Sequence, residues 1–95
     1  MPHYVYILTN QPNGTLYIGV TNNLIRRVWE HREGIIDGFT KQYGLTMLVY
    51  YELFDGPTEA IHREKCMKEW KRAWKVRRIL EKNPQWRDLY DDITQ

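Results

Sequence analysis

Residues 3–21, HYVYILTNQPNGTLYIGVT, decide the fold of this chain. Both ends of the stretch are rich in β-branched and aromatic residues, which favour β-strands. Between them, Gln11-Pro12-Asn13-Gly14 is typical of a turn. The stretch therefore predicts two antiparallel strands joined as a hairpin.

Side-chain alternation along these strands places two tyrosines where they can meet. Tyr4, Tyr6 and Leu8 share one face of the first strand, and Tyr17 shares a face of the second strand with Gly19. A register with Tyr6 opposite Tyr17 separates their Cβ atoms by roughly 5 Å. The alternative register, with Asn13-Gly14 as a two-residue turn, keeps both tyrosines on one face but far apart, and both registers remain open.

The rest of the chain predicts one more strand and several helices. A helix over 24–33 follows a cap at Thr21 or Asn22 and ends at Gly34, and its apolar stripe comprises Leu24, Ile25, Val28 and Trp29. This helix is followed by an exposed loop over 34–44 and a strand over 45–54. Two more helices come next, one from Pro57 to about Arg72 and one over 74–82. After a break at Asn83-Pro84, a short terminal helix places Trp86, Leu89, Tyr90 and Ile93 on one face.

This order predicts an α+β fold, a three-stranded, mainly antiparallel sheet flanked by helices. A chain of 95 residues is long enough for one domain, which we place at 1–95 with a core over about 3–72 and a helical segment over about 73–93. Its 42% hydrophobic and 27% charged residues argue against disorder. One cysteine excludes an intramolecular disulfide, and no signal peptide or apolar membrane span is present, so we predict a cytoplasmic protein without membrane association.

The net charge is only +2, but basic residues are concentrated between residues 63 and 78, where only Glu64 and Glu69 oppose them. Such a segment suits a polyanion such as nucleic acid, although a solvated helix face is the usual explanation of a charge run. Trp70 and Trp74 lie among these cations and could stack on bases, but their helical spacing favours packing.

One carboxylate falls where an apolar side chain is expected. Glu64 lies within the helical stripe formed by Ala60, Ile61, Met67 and Trp70. A carboxylate that faces a core needs a cation or a metal. This pattern supports two roles for Glu64 about equally. It can form an ion pair with Arg27 or Lys68, or it can be a ligand for Mg²⁺ or Mn²⁺.

The sequence resembles the GIY-YIG endonuclease superfamily in the order of its motifs. These motifs are Tyr4-Val5-Tyr6, Tyr17-Ile18-Gly19, the segment LIRRVWEH and the later helix with Glu64. The blocks FTKQYG, AIHREKCMK and NPQWRDLY extend the resemblance, over nearly the whole chain, to small stand-alone bacterial members. Those members are similar to the N-terminal incision domain of the bacterial excision-repair nuclease.

The resemblance implies hydrolysis of DNA phosphodiester bonds with Mg²⁺ or Mn²⁺. Matched by position, Glu64 is the metal ligand and Arg27 holds the scissile phosphate. Tyr17 positions or deprotonates the attacking water, Tyr6 forms a hydrogen bond beside it, and His31 orients a tyrosine or relays its proton. A phenolate would need a nearby cation, from the metal, an arginine or a loop lysine.

The predicted DNA contacts come from the resemblance and from the basic segment together. They are Gly19, which would let the DNA backbone approach, and Lys41, Lys68, Lys71 and Arg72. The first half-motif departs from the family because Tyr4 replaces its opening glycine, and a bulky residue there could narrow the pocket. Without an appended DNA-targeting domain, we expect selectivity for flaps, nicks or branches, in repair or recombination, with RNA not excluded. The alternative is a non-catalytic nucleic-acid-binding module on the same scaffold.

Overall fold

The computed structural model describes residues 1–95 and has a three-stranded sheet at its centre. The strands are β1 (His3–Thr9), β2 (Leu16–Thr21) and β3 (Met47–Phe54), in the order β2-β1-β3, and both pairs are antiparallel. The α+β class and the antiparallel sheet predicted from the sequence are therefore confirmed.

The hairpin register lies between the two predicted registers. Tyr6 pairs with Gly19, and Leu8 pairs with Tyr17. The turn is longer than two residues, and Oδ1 of Asn10 closes it by accepting a hydrogen bond from the Thr15 N–H at 3.1 Å. Both tyrosines lie on one face of the sheet but are diagonal neighbours. Both predicted registers, the direct pairing of Tyr6 with Tyr17 and the two-residue turn at Asn13-Gly14, are therefore wrong.

Five helices surround the sheet: α1 (Leu24–Arg32), α2 (Phe39–Tyr43), α3 (Pro57–Glu69), α4 (Arg72–Lys82) and α5 (Tyr90–Thr94). Asn23 caps α1, where the prediction had Thr21 or Asn22, and its Oδ1 accepts from the Arg26 N–H at 3.1 Å. The predicted loop over 34–44 contains α2. The helix predicted to reach about Arg72 ends earlier, because Trp70 and Lys71 adopt extended backbone conformations.

Each face of the sheet has its own apolar core. Val5 and Ile7 of β1 pack towards α3 and α4, whereas Tyr6 and Leu8 pack towards α1. The apolar stripes predicted for the helices contained too many residues, because only residues spaced one helical turn apart reach the sheet. Three of the predicted stripe residues are exposed, namely Ile25, Trp29 and Ile61.

The C-terminal segment crosses from one face of the sheet to the other. Trp86 packs in the core with α3 and α4, whereas Leu89, Tyr90 and Ile93 pack on the face with α1. The crossing follows the free edge of β3, where the Leu89 N–H donates to the Leu48 carbonyl at 2.7 Å. The predicted common face of these four residues is therefore wrong, since the edge of β3 lies between them. No helix combines the length and apolar character needed to cross a membrane.

Candidate active site

Three rings from three elements meet on the α1 side of the sheet. Tyr6 of β1, Tyr17 of β2 and His31 of α1 have ring centroids 5.7–6.3 Å apart. The diagonal hairpin register and the helical position of His31, one turn after Val28 and facing the sheet, create this cluster. The structure thus brings together three residues that the sequence placed in one site.

Gly19 makes room for this cluster. It faces Tyr6 across the hairpin, and a Cβ atom at this position would lie 2.5 Å from Cζ and the hydroxyl oxygen of Tyr6. That distance is far inside van der Waals contact, so a side chain here would displace the tyrosine. The resemblance predicted the DNA backbone above Gly19, but the Tyr6 ring lies there.

His31 is buried and hydrogen-bonded through both ring nitrogens. Nε2 lies 3.2 Å from the Tyr6 hydroxyl, and Nδ1 lies 2.9 Å from Oγ1 of Thr40. Burial, reinforced by the positive charge of Arg27, lowers the pKa of His31. A neutral imidazole has one donor and one acceptor, so when Tyr6 donates to Nε2, Nδ1–H donates to Thr40.

Thr40 was not identified from the sequence, and it connects α2 to the site. It is buried although it lies in a segment that the sequence predicted to be an exposed loop. The block FTKQYG, which contains this threonine, was the available signal, but its contribution depends on a contact between residues that are nine positions apart.

Tyr6 has no solvent exposure, and burial raises the pKa of its hydroxyl well above the usual value. The charges of Tyr17 and Glu64 raise this pKa further, and the guanidinium of Arg27 opposes them. Tyr6 therefore keeps its proton at neutral pH and acts as a hydrogen-bond donor. α1 packs against β1, and α3 packs against β1 and β2, so Arg27 and Glu64 lie on helices that contact the strands of the two tyrosines.

Arg27 lies at the boundary between the cluster and solvent, with 41% of its side chain exposed. Its Nε lies 3.3 Å from Oε1 of Glu30, which also pairs with Arg26 at 3.4 Å. Glu30, which was not identified from the sequence, orients the guanidinium and leaves it accessible. Such a group can form paired hydrogen bonds to a phosphate.

Glu64 of α3 forms an ion pair with Lys68, whose Nζ lies 3.1 Å from Oε2. Of the two cationic partners that the sequence analysis considered, Lys68 is therefore the one observed. Only 13% of the Glu64 side chain is exposed, whereas half of the Lys68 side chain is.

No group of three histidine, cysteine or acidic residues is close enough to bind a metal by itself. Glu64 fits a different mode of binding. Mg²⁺ retains several waters and needs one or two carboxylates together with substrate phosphate oxygens. Glu64, a single carboxylate with 13% of its side chain exposed, matches this requirement.

The predicted basic contacts fall into two groups. Lys68, near the end of α3, and Lys71, at the N-cap of α4, are both exposed, and Lys68 pairs with Glu64. Arg72 has a structural role, because its guanidinium donates to the Asn13 and Gly14 carbonyls at 2.8 and 2.6 Å and fixes the hairpin turn.

Lys41 is not brought to the tyrosines. Its ammonium group lies 3.3 Å from Asp37, and the residue lies two positions from Phe39, on the other side of α2. Tyr4 pairs with Thr21 in the sheet and lines a groove at the start of α1, apart from the ring cluster.

The two tryptophans of the basic segment have different environments. Trp70 packs against the core beneath Arg63, whose guanidinium carbon is 4.9 Å from the ring centroid. Trp74 is 48% exposed.

Comparison with known proteins agrees with this geometry. Residues 2–85 match the family described as the GIY-YIG catalytic domain. The chain belongs to the GIY-YIG family. It is 38% identical over 80 residues to a UPF0213 protein of Staphylococcus haemolyticus, covering 84% of this chain and 96% of that protein. A UPF0213 protein of Natronomonas pharaonis is 39% identical over 79 residues, covering 83% and 92%.

A solved structure supports the architecture as well. The solution NMR structure of a UPF0213 protein from Bacillus halodurans aligns with a TM-score of 0.58 at 31% sequence identity. The alignment covers 93% of both chains. This GIY-YIG chain therefore shares both sequence and fold with UPF0213 proteins over most of its length.

The environment of His31 predicts a pH dependence of stability. Its pKa is below the ordinary 6.5 in the folded state, so the unfolded chain binds a proton that the folded chain does not. The free energy of unfolding should fall as the pH decreases from about 6.5 towards the folded pKa. Urea denaturation between about pH 7.5 and 5.5, above the range where carboxylates titrate, measures this loss.

The control is a histidine on the protein surface. His31→Gln should flatten the pH dependence in this range, whereas His62→Gln, at an exposed position, should retain it. An equal slope in wild type and His31→Gln would show that another group is responsible.

Proposed function

We propose that this GIY-YIG chain is a divalent-metal-dependent endonuclease that hydrolyses DNA phosphodiester bonds and selects DNA structure rather than sequence. The observation that carries the proposal is the cluster of three rings on the α1 side of the sheet, together with two charged side chains on helices that pack against the same strands. The rings are Tyr6 of β1, Tyr17 of β2 and His31 of α1, and the charged side chains are Arg27 of α1 and Glu64 of α3.

Each of these side chains can have a separate role in hydrolysis. Arg27 binds the scissile phosphate and balances the negative charge that it gains during attack. Tyr17, less buried than Tyr6, holds or deprotonates the attacking water. Tyr6 keeps its proton and donates a hydrogen bond, and neutral His31 fixes the orientation of Tyr6.

Glu64 would hold the cation, which when bound supplies positive charge to the phosphate and the leaving oxygen. When no cation is bound, Lys68 compensates the negative charge of Glu64. The exposed lysines of α3 also attract the DNA backbone. The resemblance to the incision domain of the excision-repair nuclease supports a place in repair or recombination.

A pair of neighbouring arginines on α1 tests the proposal. Arg27→Ala should lower the rate of nicking about 100-fold, the usual effect of removing one donor to a developing charge. Arg26→Ala removes the neighbouring cation, which is 73% exposed and shares Glu30, and should have little effect. Supercoiled plasmid and branched DNA and RNA oligonucleotides should be incubated with Mg²⁺, Mn²⁺ or chelator.

Equal cleavage by both variants would indicate a contaminant. Binding of DNA without cleavage in any metal would support the non-catalytic module instead, for which the Lys68 ion pair already in place at Glu64 is the structural argument. Cleavage of RNA but not of DNA would support the proposed phosphodiester hydrolysis and change the proposed substrate to RNA.

A further inference from the structure

Helix α2 carries two aromatic rings that the hydrolytic site does not use. Phe39 is 47% exposed and Tyr43 is 49% exposed, although both are large hydrophobic residues. Their ring centroids are 4.8 Å apart, and the Phe39 ring is stacked on Tyr17 at 6.5 Å with an interplanar angle of 27°. A continuous row of rings therefore leads from the site to the surface.

The row is held firmly relative to the site. Thr40, between the two rings in sequence, is buried and hydrogen-bonded to His31. Gly38 and Gly44 bound the helix with φ angles of 113° and 65°, which favour glycine. A Cβ atom added at either glycine would have no neighbouring atom within 4 Å. These glycines are therefore required by the backbone conformation and not by a lack of space.

The charges around the row favour an anionic partner with planar rings. In α1, Arg26 and Arg27 share the single carboxylate of Glu30, and Arg32 pairs with Asp88 at 2.6 Å, so this helix keeps an excess of positive charge at Arg26 and Arg27. Nucleic acid combines phosphates with bases, and a base stacks on an aromatic side chain whatever its identity. In a duplex, however, both faces of each base are already stacked, so the row suits a base that is unpaired.

We propose that Phe39 and Tyr43 form a stacking platform for an unpaired base next to the scissile phosphate. This inference rests on the proposed function, because the phosphate is placed by Arg27 and Tyr17. It defines the substrate class as DNA in which a single strand leaves a duplex beside the cleaved bond, as in a flap. A fully paired, nicked duplex would lack the base that the platform binds.

Two leucine variants test the platform against a matched control. Phe39→Leu and Tyr43→Leu remove one ring each, and Tyr43 does not contact Tyr17. Trp29→Leu removes a similarly exposed aromatic residue, 46% exposed, from the side of α1 away from Arg27. Thermal unfolding of each variant verifies that the fold is retained.

Two readouts separate the platform from the chemistry. In cleavage, each platform variant should lower kcat/KM about tenfold on a flap, the usual loss for one stacking contact. Tyr43→Leu should leave cleavage of a nicked duplex unchanged, whereas Phe39→Leu also removes the ring stacked on Tyr17 and should slow both substrates, the flap more. In binding, a flap with 2-aminopurine at the first unpaired position should be quenched by Glu64→Gln protein. That quenching should be lost when Phe39→Leu or Tyr43→Leu is added, but not when Trp29→Leu is added.

Equal losses on flap and nicked duplex in Tyr43→Leu, or unchanged quenching in both platform variants, would overturn the platform and leave the proposed nuclease function intact. If the wild type cleaves no DNA, the proposed function fails, and the quenching experiment still decides the platform. Quenching that is absent with flap DNA then overturns it as well.

Discussion

Glu64→Gln should lower the nicking rate in Mg²⁺ about 10³-fold while leaving the thermal stability nearly unchanged. Glutamine preserves the shape of the side chain and removes the charge that a hard cation requires. A metal supplies several kcal/mol of charge stabilisation in such a reaction, and about 1.4 kcal/mol corresponds to a tenfold change in rate. The same variant should lose binding of Mn²⁺, measured by calorimetry in the presence of DNA with a non-hydrolysable linkage, because substrate phosphate oxygens complete the metal site.

The ion pair with Lys68 gives the competing explanation of Glu64. Lys68 is half exposed, and a pair with an exposed partner contributes little to stability. If the pair were the whole role of the carboxylate, Lys68→Met and Glu64→Gln would have equal effects. We expect Lys68→Met to keep cleavage within a few-fold of wild type, apart from weaker DNA binding at higher salt.

Glu69→Gln controls for the loss of one negative charge from α3, because Glu69 is exposed near the end of the same helix. It should leave both Mn²⁺ binding and nicking intact. Wild-type activity in Glu64→Gln would remove this residue from the site and with it the proposed metal chemistry.

The sequence predicted those features that depend on local patterns. The β-branched strands, the Pro57 start of α3 and the break at Asn83-Pro84 follow from short-range preferences. Glu64 was identified because a carboxylate in an apolar stripe violates the helical pattern. These signals need no knowledge of distant contacts.

The errors arose where a tertiary contact decides the structure. The hairpin register depends on how Asn10 closes the loop, and the place of Trp86 depends on a chain segment passing around the edge of β3. The short helix α2 is stabilised by the contact between Thr40 and His31, which no local propensity encodes. Periodicity also cannot distinguish an exposed apolar residue such as Trp29 from a buried one.

The two tyrosines of the cluster should have different roles, which their phenylalanine variants can separate. Tyr17→Phe should lower the nicking rate about 10³-fold, within the range for loss of a positioned acid or base, with little loss of stability. Tyr6→Phe should lower the rate less, about tenfold, and destabilise the fold by about 1 kcal/mol, because it removes the buried hydrogen bond to His31.

The physical reason lies in the access of each hydroxyl to water. Tyr6 has no exposed surface, and burial raises its pKa, so it neither contacts solvent nor gives up its proton easily. Tyr17 is only partly buried and lies beside Phe39 at the open end of the cluster. A group that takes a proton from water must lie within hydrogen-bond distance of that water.

The dependence of rate on pH identifies the base directly. If Tyr17 deprotonates water, the wild-type rate should increase with pH, and the increase should disappear in Tyr17→Phe while it persists in Tyr6→Phe. A larger loss of rate in Tyr6→Phe than in Tyr17→Phe would reverse the assignment and require water to enter the buried side of the cluster. An increase with pH that persists in both variants would exclude both tyrosines as the base and restrict them to positioning the phosphate and the water.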